Sequence, residues 1–411
     1  MLWGSLVVDN IGACVTVDGS GAHGLGVVHD AVVVVDADRI AFVGPKHSAP
    51  PDVARAGVPV VDAGGGLVVP GLIDCHTHVL FAGDRADEFA RRARGESYAQ
   101  IMAAGGGIRS TMRAVRAASV DDLVAAAAPR LSRMLARGVT TIEAKSGYGL
   151  DVDNELKMLR ALRALHAAQP ITVVPTLLAA HAVPPEFEGR AGAWCDTITR
   201  ELIPAVADEG LATAVDVFVE AGAFSVDDAR PMLRAAQERG LHVRVHAEQL
   251  SRQGGAQLAA ELGARSAGHL EFVDVDDARA LADAGVVCEI LSLAQVFLRG
   301  QRAIPGRMLK DAGCRVAIGT DMNPGTAMSS DLLLAAGLAV TQSALTVEEA
   351  VCGITADAAH AVGLDDRGVL AVGKRADLAV FRDAHHYADL VYRWSDLSAD
   401  VVVAGGRVVR A

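Results

Sequence analysis

Eight short apolar runs, most of them trailed by a helix-patterned stretch, recur at regular spacing through the middle of this chain. They read LVVPGLIDCHTHV, VTTIEAKSG, ITVVPTLLAAH, AVDVFVE, HVRVHAEQ, SAGHLEF, VVCEILS and RVAIGTD. Between them lie segments such as DNELKMLRALRALHAAQ, DDARPMLRAAQERG and DDARALADAG. The last two open on Asp pairs and end at Gly, as helix caps prefer. Eight strands alternating with helices over about 300 residues match the size of a (β/α)8 barrel. A doubly wound open sheet is the competing arrangement, and the strand count favours the barrel. The expected fold is therefore α/β, a TIM-type barrel.

Two β-rich stretches bracket that region. The first holds LVVDN, ACVTVDG and AVVVVDADRIAFVG, then a Pro- and Gly-rich segment through Gly66; the last holds GVLAVGKRADLAVFRD and VVVAGGRVV. Neither end alone can bury both faces of a sheet. The two are expected to pair into a small composite β-sandwich domain, residues 1–66 plus 366–411, with the barrel over 67–365.

With 411 residues and 51% hydrophobic content, the chain can fill one large core and a smaller attached one. Aromatics are only 4%, so Ala, Val and Leu must build those cores. No apolar run is long enough to cross a bilayer. The start, MLWGSLVVDN, has no basic region before an apolar block, so no secretory signal is expected. Six cysteines without a C-x-x-C pair read as reduced thiols of a cytoplasmic protein. A net charge of -12 argues against nucleic acid as a partner. It leaves room for a small anionic substrate, because a buried Arg can set the local field against the global sign.

The chemistry gathers at the strand ends. His76-Thr77-His78 closes the first barrel strand, and residues i and i+2 of a strand point to one side. Alone, an H-x-H is a weak signal, as compatible with packed strand histidines as with a metal site. His246 closes the fifth strand and Asp321 the eighth. The C-terminal ends of barrel strands converge on one face, so these four can surround one divalent ion, Zn2+ or Fe2+/Fe3+. Taken singly, His246 could be a satisfied strand histidine and Asp321 a turn residue; their matching placement favours metal. Binuclear enzymes of this type use a carbamylated lysine on a middle strand, and no Lys lies between Lys157 and Lys310. A single ion is expected. Asp321 could then take a proton from water and pass it to a leaving nitrogen. His269, ending strand six, is placed to polarise a carbonyl.

These residues resemble the amidohydrolase superfamily, and within it the branch that opens an imidazolone ring in histidine degradation. The resemblance spans most of the chain, through PGLIDCHTHVLFAGDRADEF, the GGGI run at 105–108, TIEAKSGYGLD, LAAHAVP, VDVFVEAGAFS, HAEQL and GTDMNPGT. It implies hydrolysis of 4-imidazolone-5-propanoate, a small anionic cyclic amide, to N-formimidoyl-L-glutamate with one Zn or Fe ion. It also implies a cytoplasmic homodimer. The family's metal ligands fall on His76, His78, His246 and Asp321, and its substrate contacts on Arg85, Tyr148, His181, Asn323, Gly325 and Thr326. Arg85 could grip the propanoate with two hydrogen bonds, with Tyr148 adding a neutral one. The run AAGGGIRST is either a flap or a plain loop.

Three places depart from the family's pattern. Gln249 joins Asp321 and His269 in the expected catalytic set, yet stands where some members carry a substrate-contacting Glu. Gly268 stands where an Asp is common, which removes a partner for a neighbouring ligand. The seventh strand reads EILSLAQVFLRG where the family usually has a Leu-Pro-Gly-Ala stretch. These leave open a sister amidohydrolase acting on a thio- or N-substituted imidazolone. A heterocycle aminohydrolase is disfavoured, because Gln249 cannot donate a carboxyl proton. A non-catalytic scaffold would have lost ligands, and none is lost.

Overall fold

A computed structural model of the chain describes residues 5–20, 24–50, 57–96, 100–101, 104–300 and 302–411. Residues 1–4, 21–23 and 51–56 of the expected small domain therefore lie outside the described residues, as does Ala103 of the expected flap.

The chain opens with β1 (Leu6–Val15), β2 (Val27–Asp36), β3 (Arg39–Pro45), β4 (Val60–Asp62) and β5 (Leu67–Pro70). It then runs through β6 (Leu72–Asp74), β7 (Val139–Lys145), β8 (Thr172–Ala180), β9 (Ala214–Val219), β10 (His242–Ala247), β11 (Ser266–His269), β12 (Val287–Ile290) and β13 (Val316–Ile318). It returns with β14 (Leu378–Phe381), β15 (Val401–Ala404) and β16 (Arg407–Arg410).

β6 to β13 are all parallel and pair in chain order, the signature of a (β/α)8 barrel. The two ends of the chain share one mixed sheet in the order β16-β15-β14-β5-β1-β2-β3, with β4 beside β1. Period-two alternation divides its side chains. Val8, Val33, Val68, Leu378 and Val403 meet in a core of their own, so the sheet curls on itself. Leu67, Val69, Ala379 and Phe381 turn the other way and join the barrel's core.

The run LVVPGLIDCHTHV, read above as one strand, is two. β5 belongs to the end sheet, pairing with β1 and β14, while β6 starts the barrel. Gly71 makes the transfer: its N–H donates to the Asp377 carbonyl at 2.8 Å, and a Cβ there would run into the Thr140 side chain.

The capping signals are realised two residues earlier than the Asp pairs suggest. Ser225 and Asp274 cap the helices Val226–Glu238 and Val275–Asp283, and Asp228 and Asp277 complete capping boxes. Gly240 and Gly285 follow these helices with φ of 77° and 69°, a conformation that costs glycine nothing.

β6 and β13 share no ladder. The barrel closes through hydrogen bonds beyond their ends: Asp321 N–H to the His76 carbonyl at 3.0 Å and His78 N–H to the Met322 carbonyl at 2.9 Å. Asp74 adds to the seam, accepting from Thr320 N–H at 3.0 Å and Thr320 Oγ1–H at 2.6 Å. All six cysteines are free. Among the described residues no helix is long and apolar enough to cross a membrane.

Candidate active site

The seam sets the site. His76 and His78 lie just past β6, and Thr77 between them bridges to Met322, which keeps the tripeptide extended. Both imidazoles therefore turn inward. His246 arrives on β10, and Asp321 follows β13 with φ of 52°, a backbone conformation unusual for a non-glycine residue. Nε2 of His76 stands 3.0 Å from Nε2 of His246, which is 3.4 Å from Nε2 of His78. Asp321 Oδ1 is 3.3 Å from His78 Nε2 and 3.7 Å from His76 Nε2. Donors about 2.1 Å from a tetrahedral ion stand roughly 3.4 Å apart, so these spacings suit one.

The protonation of the rings supports the fit. His76 Nδ1 donates to Glu289 Oε2 at 2.8 Å, and His246 Nδ1 to Asp216 Oδ1 at 3.0 Å. Each Nε2 is then left with a lone pair. Burial, reinforced at His76 and His78 by neighbouring cations and imidazoles, holds both well below the usual histidine range; burial also lowers His246. Two neutral imidazoles aiming lone pairs at each other across 3.0 Å repel unless a cation lies beside them. The donor set fits a divalent ion. A second trio, His76, His246 and His269, has its donor atoms within 4.8 Å of one another.

His269 ends β11 with φ of 76°. Its ring is the one histidine here raised above its usual value: burial opposes the charge, but Glu271 and Asp321 outweigh it. Nδ1 stands 3.8 Å from Glu271 Oε1, too long for a hydrogen bond, so the carboxylate acts through its field. Burial pushes Asp321 up, against the pull of the surrounding imidazoles.

A cavity of about 1140 Å³ opens over this cluster and is lined by His78, Arg85, Tyr148, His181, His246, Gln249, His269, Asp321, Asn323 and Thr326. Of the residues expected at the site, His76 and Gly325 do not line it. Gly325 has a spatial part instead: a Cβ there would strike the Arg85 guanidinium. Arg85 Nε donates to Glu88 Oε2 at 2.8 Å, which leaves its other nitrogens available. His181 donates Nδ1–H to the Gly147 carbonyl at 3.0 Å and stacks on His78, leaving Nε2 as an acceptor. Asn323 is spent on its own turn, donating to the Asp321 carbonyl and accepting from the N–H groups of Gly325 and Thr326. The stretch after β12 forms the short helix Ser292–Phe297, and it brings Gln295 and Leu298 to the cavity wall.

Several residues that shape the site were not singled out by the sequence. Glu155 accepts from the N–H groups of Gly147, Gly149 and Leu150 at 2.7–2.9 Å and so holds the loop that presents Tyr148. Beneath the imidazoles lies a belt of buried charge: Glu143, Lys145, Asp216, Arg244 and Glu289. Lys145 Nζ bonds Glu143 Oε1 and Asp216 Oδ2, each at 2.8 Å. The signal was there as ionisable residues inside apolar runs, in VTTIEAK, AVDVFVE, HVRVHA and VVCEI.

Comparison with known proteins agrees with this geometry. The amidohydrolase family profile matches residues 67–409. The chain is 48% identical over 407 residues to a Myxococcus xanthus protein named imidazolonepropionase, covering 98% of this chain and 96% of that one. It is 50% identical over 370 residues to the imidazolonepropionase of Sphingopyxis alaskensis, covering 90% of each. Among solved structures, a triazine hydrolase variant superposes with a TM-score of 0.78 at 18% identity, over 99% of this chain and 95% of that one, a likeness of fold. The chain belongs to the amidohydrolase family, whose members of this type are metal-dependent hydrolases of cyclic amide C–N bonds. Within it, the chain belongs to the imidazolonepropionases.

Proposed function

We propose that this chain opens 4-imidazolone-5-propanoate to N-formimidoyl-L-glutamate, a step of histidine degradation, at the cluster of His76, His78, His246 and Asp321. The observation that carries the proposal is the convergence of these four donors, three of them lining the cavity that Arg85 also lines and His76 packed beside them, in a chain of this family. A divalent ion held by the four supplies Lewis acidity toward water and the ring carbonyl, so that attack is accessible at neutral pH. We read it as a single ion, Zn2+ or Fe2+/Fe3+. Lys145 is engaged by Glu143 and Asp216, which leaves the barrel strands no lysine to bridge a second.

The chain's own groups do the rest. Arg85 binds the propanoate, and Tyr148 adds a neutral hydrogen bond. His181 offers Nε2 to a ring N–H. His269, whose proton affinity Glu271 and Asp321 raise against the effect of burial, donates an N–H to the carbonyl oxygen as charge develops there. Asp321, whose proton affinity burial has raised, takes a proton from the attacking water and delivers it to the ring nitrogen as the C–N bond breaks. Water thus adds across the amide, leaving a carboxylate and a protonated nitrogen. Gln249 lines the cavity within reach of substrate and serves as a neutral hydrogen-bonding group. Thr326 and the Asn323 turn shape the wall beside Arg85, while Gly325 leaves room for the guanidinium. The assembly we read is a homodimer in the cytoplasm, as the family resemblance implies.

Loss of imidazolone ultraviolet absorbance on mixing fresh substrate with metal-loaded protein tests the proposal. Rapid loss that a chelator abolishes is expected. A metal-loaded protein that leaves the absorbance unchanged would sink it.

A further inference from the structure

The register of β11 against β12 sets Gly268 directly opposite Glu289. Glu289 is buried, and its two oxygens are committed to different partners: Oε2 accepts from His76 Nδ1 at 2.8 Å, and Oε1 is gripped by Arg244. Arg244 is itself anchored, donating to the Cys75 carbonyl at 2.7 Å and the Ala361 carbonyl at 3.1 Å. The carboxylate is therefore clamped in the orientation that receives the His76 proton. A Cβ at position 268 would lie 3.0 Å from His76 Cε1, 3.1 Å from His76 Nδ1 and 3.3 Å from Glu289 Oε2. Gly268 does not have the positive φ that would demand glycine, so its small size is what matters. The space beside His76 Nδ1 holds one carboxylate, from 268 or from 289.

We infer that Glu289 is the positioning residue of the His76 imidazole, and that Gly268 is glycine so that Glu289 can reach across from the neighbouring strand. The inference rests on His76 being a metal ligand, as proposed above. Glu289 keeps the ring proton on Nδ1 and the Nε2 lone pair toward the ion. Glu289→Gln retains a carbonyl for Arg244 but presents an N–H to Nδ1. That drives the ring proton to Nε2, where it blocks the ion.

The test is Zn2+ affinity of the metal-stripped full chain, read by competition with a chromophoric chelator. Glu289→Gln is expected to weaken Zn2+ binding about 10- to 100-fold with the far-ultraviolet circular dichroism retained. Gly268→Asp alone is expected to weaken binding by crowding two carboxylates, whereas the same change added to Glu289→Ala strengthens it relative to Glu289→Ala. That reversal of sign is something a merely structural role would not produce. Should Glu289→Ala fail to fold, Glu289→Gln alone decides. Binding by Glu289→Gln within twofold of wild type overturns the inference, as does the same weakening by Gly268→Asp in both backgrounds. His76→Ala is the control for the reading beneath it: Zn2+ binding as tight as wild type there means the ligand assignment has failed.

Discussion

In the end sheet, Val8, Val33, Val68, Leu378 and Val401 pack hydrocarbon against hydrocarbon in a core of their own. The barrel instead wraps its strands around Glu143, Lys145, Asp216, Arg244 and Glu289, all buried. Taking an ion out of water costs several kcal/mol, and an apolar replacement of a buried pair is often as stable or more so. Stability alone therefore accounts for the sheet and does not account for the belt. The belt's ends explain it better. One end runs from Lys145 through Asp216 to His246, and the other from Arg244 through Glu289 to His76. Burial would push Asp216 up, yet His246, Lys145 and Arg244 together hold it well below the usual carboxylate range. It thus stays charged to receive the His246 proton. The barrel spends stability on fixing the tautomers of two imidazoles, an expense the end sheet never meets.

The sharpest break of this comparison is His76→Ala. Loss of bound metal and of detectable hydrolysis is expected, with circular dichroism unchanged, since the ring's partners can take water through the cavity. Metal analysis alongside the absorbance assay checks it, and full activity would remove His76 from the site. Next in size is Lys145→Met, which strands two buried carboxylates and should cost about 3–5 kcal/mol in urea unfolding. Metal affinity should fall with it, because Asp216 loses the cation that keeps it ionised. In the end sheet, Leu378→Ala should cost a comparable 2–5 kcal/mol or so by opening a cavity, while leaving metal affinity and kcat/KM of the folded protein alone. If Lys145→Met also left metal affinity alone, belt and sheet would differ only in composition.

A smaller effect separates the cavity wall from the belt. Arg85→Ala should lower kcat/KM for the propanoate substrate about 10- to 100-fold, the worth of a charge-assisted pair of hydrogen bonds. The effect should fall mainly on KM. The corresponding propanamide should be almost unaffected, and equal losses for both compounds would mean that Arg85 does not hold the carboxylate.

The sequence was most informative where chemistry and periodicity coincide. Eight apolar runs with helices between them specify the barrel, and His76, His78, His246 and Asp321 stand at strand ends that the fold brings together. The division of the first run into β5 and β6 was harder to read. Both halves are apolar, and only Pro70-Gly71 marks the change of sheet. Asn323 was expected as a substrate contact, and the hydrogen bonds by which its side chain closes its own turn are invisible until φ and ψ are known. Gly268, just before His269, read as the loss of a supporting acidic partner, with no ligand assigned to it. The replacement comes from Glu289 on the next strand, and cross-strand register cannot be read from one strand alone.

A last prediction concerns pH, and it has opposite signs in the two regions. Asp74 holds the seam where β6 meets β13, and burial pushes its carboxyl up to about 7 despite the hydrogen bonds from Thr320. With the folded value above the unfolded one, neutral Asp74 stabilises the fold in acid. That contribution is lost as pH rises from about 4 through about 7. Asp74→Asn still offers an N–H to Thr320 Oγ1 and cannot ionise, so it should flatten the fall in stability across that window. Asp62 in the end sheet is the converse. The Gly64 N–H and the Asn10 side chain hold its carboxyl low, so its contribution is present at neutral pH and lost as pH falls through its folded value. Asp62→Asn should therefore cost a little stability at neutral pH and nothing in acid. Urea unfolding of metal-free protein at several pH values between roughly 3 and 8 measures both. If Asp74→Asn shifted the curve equally at every pH, the seam would be held by a charged Asp74 throughout, and the site end would follow the same rule as the sheet.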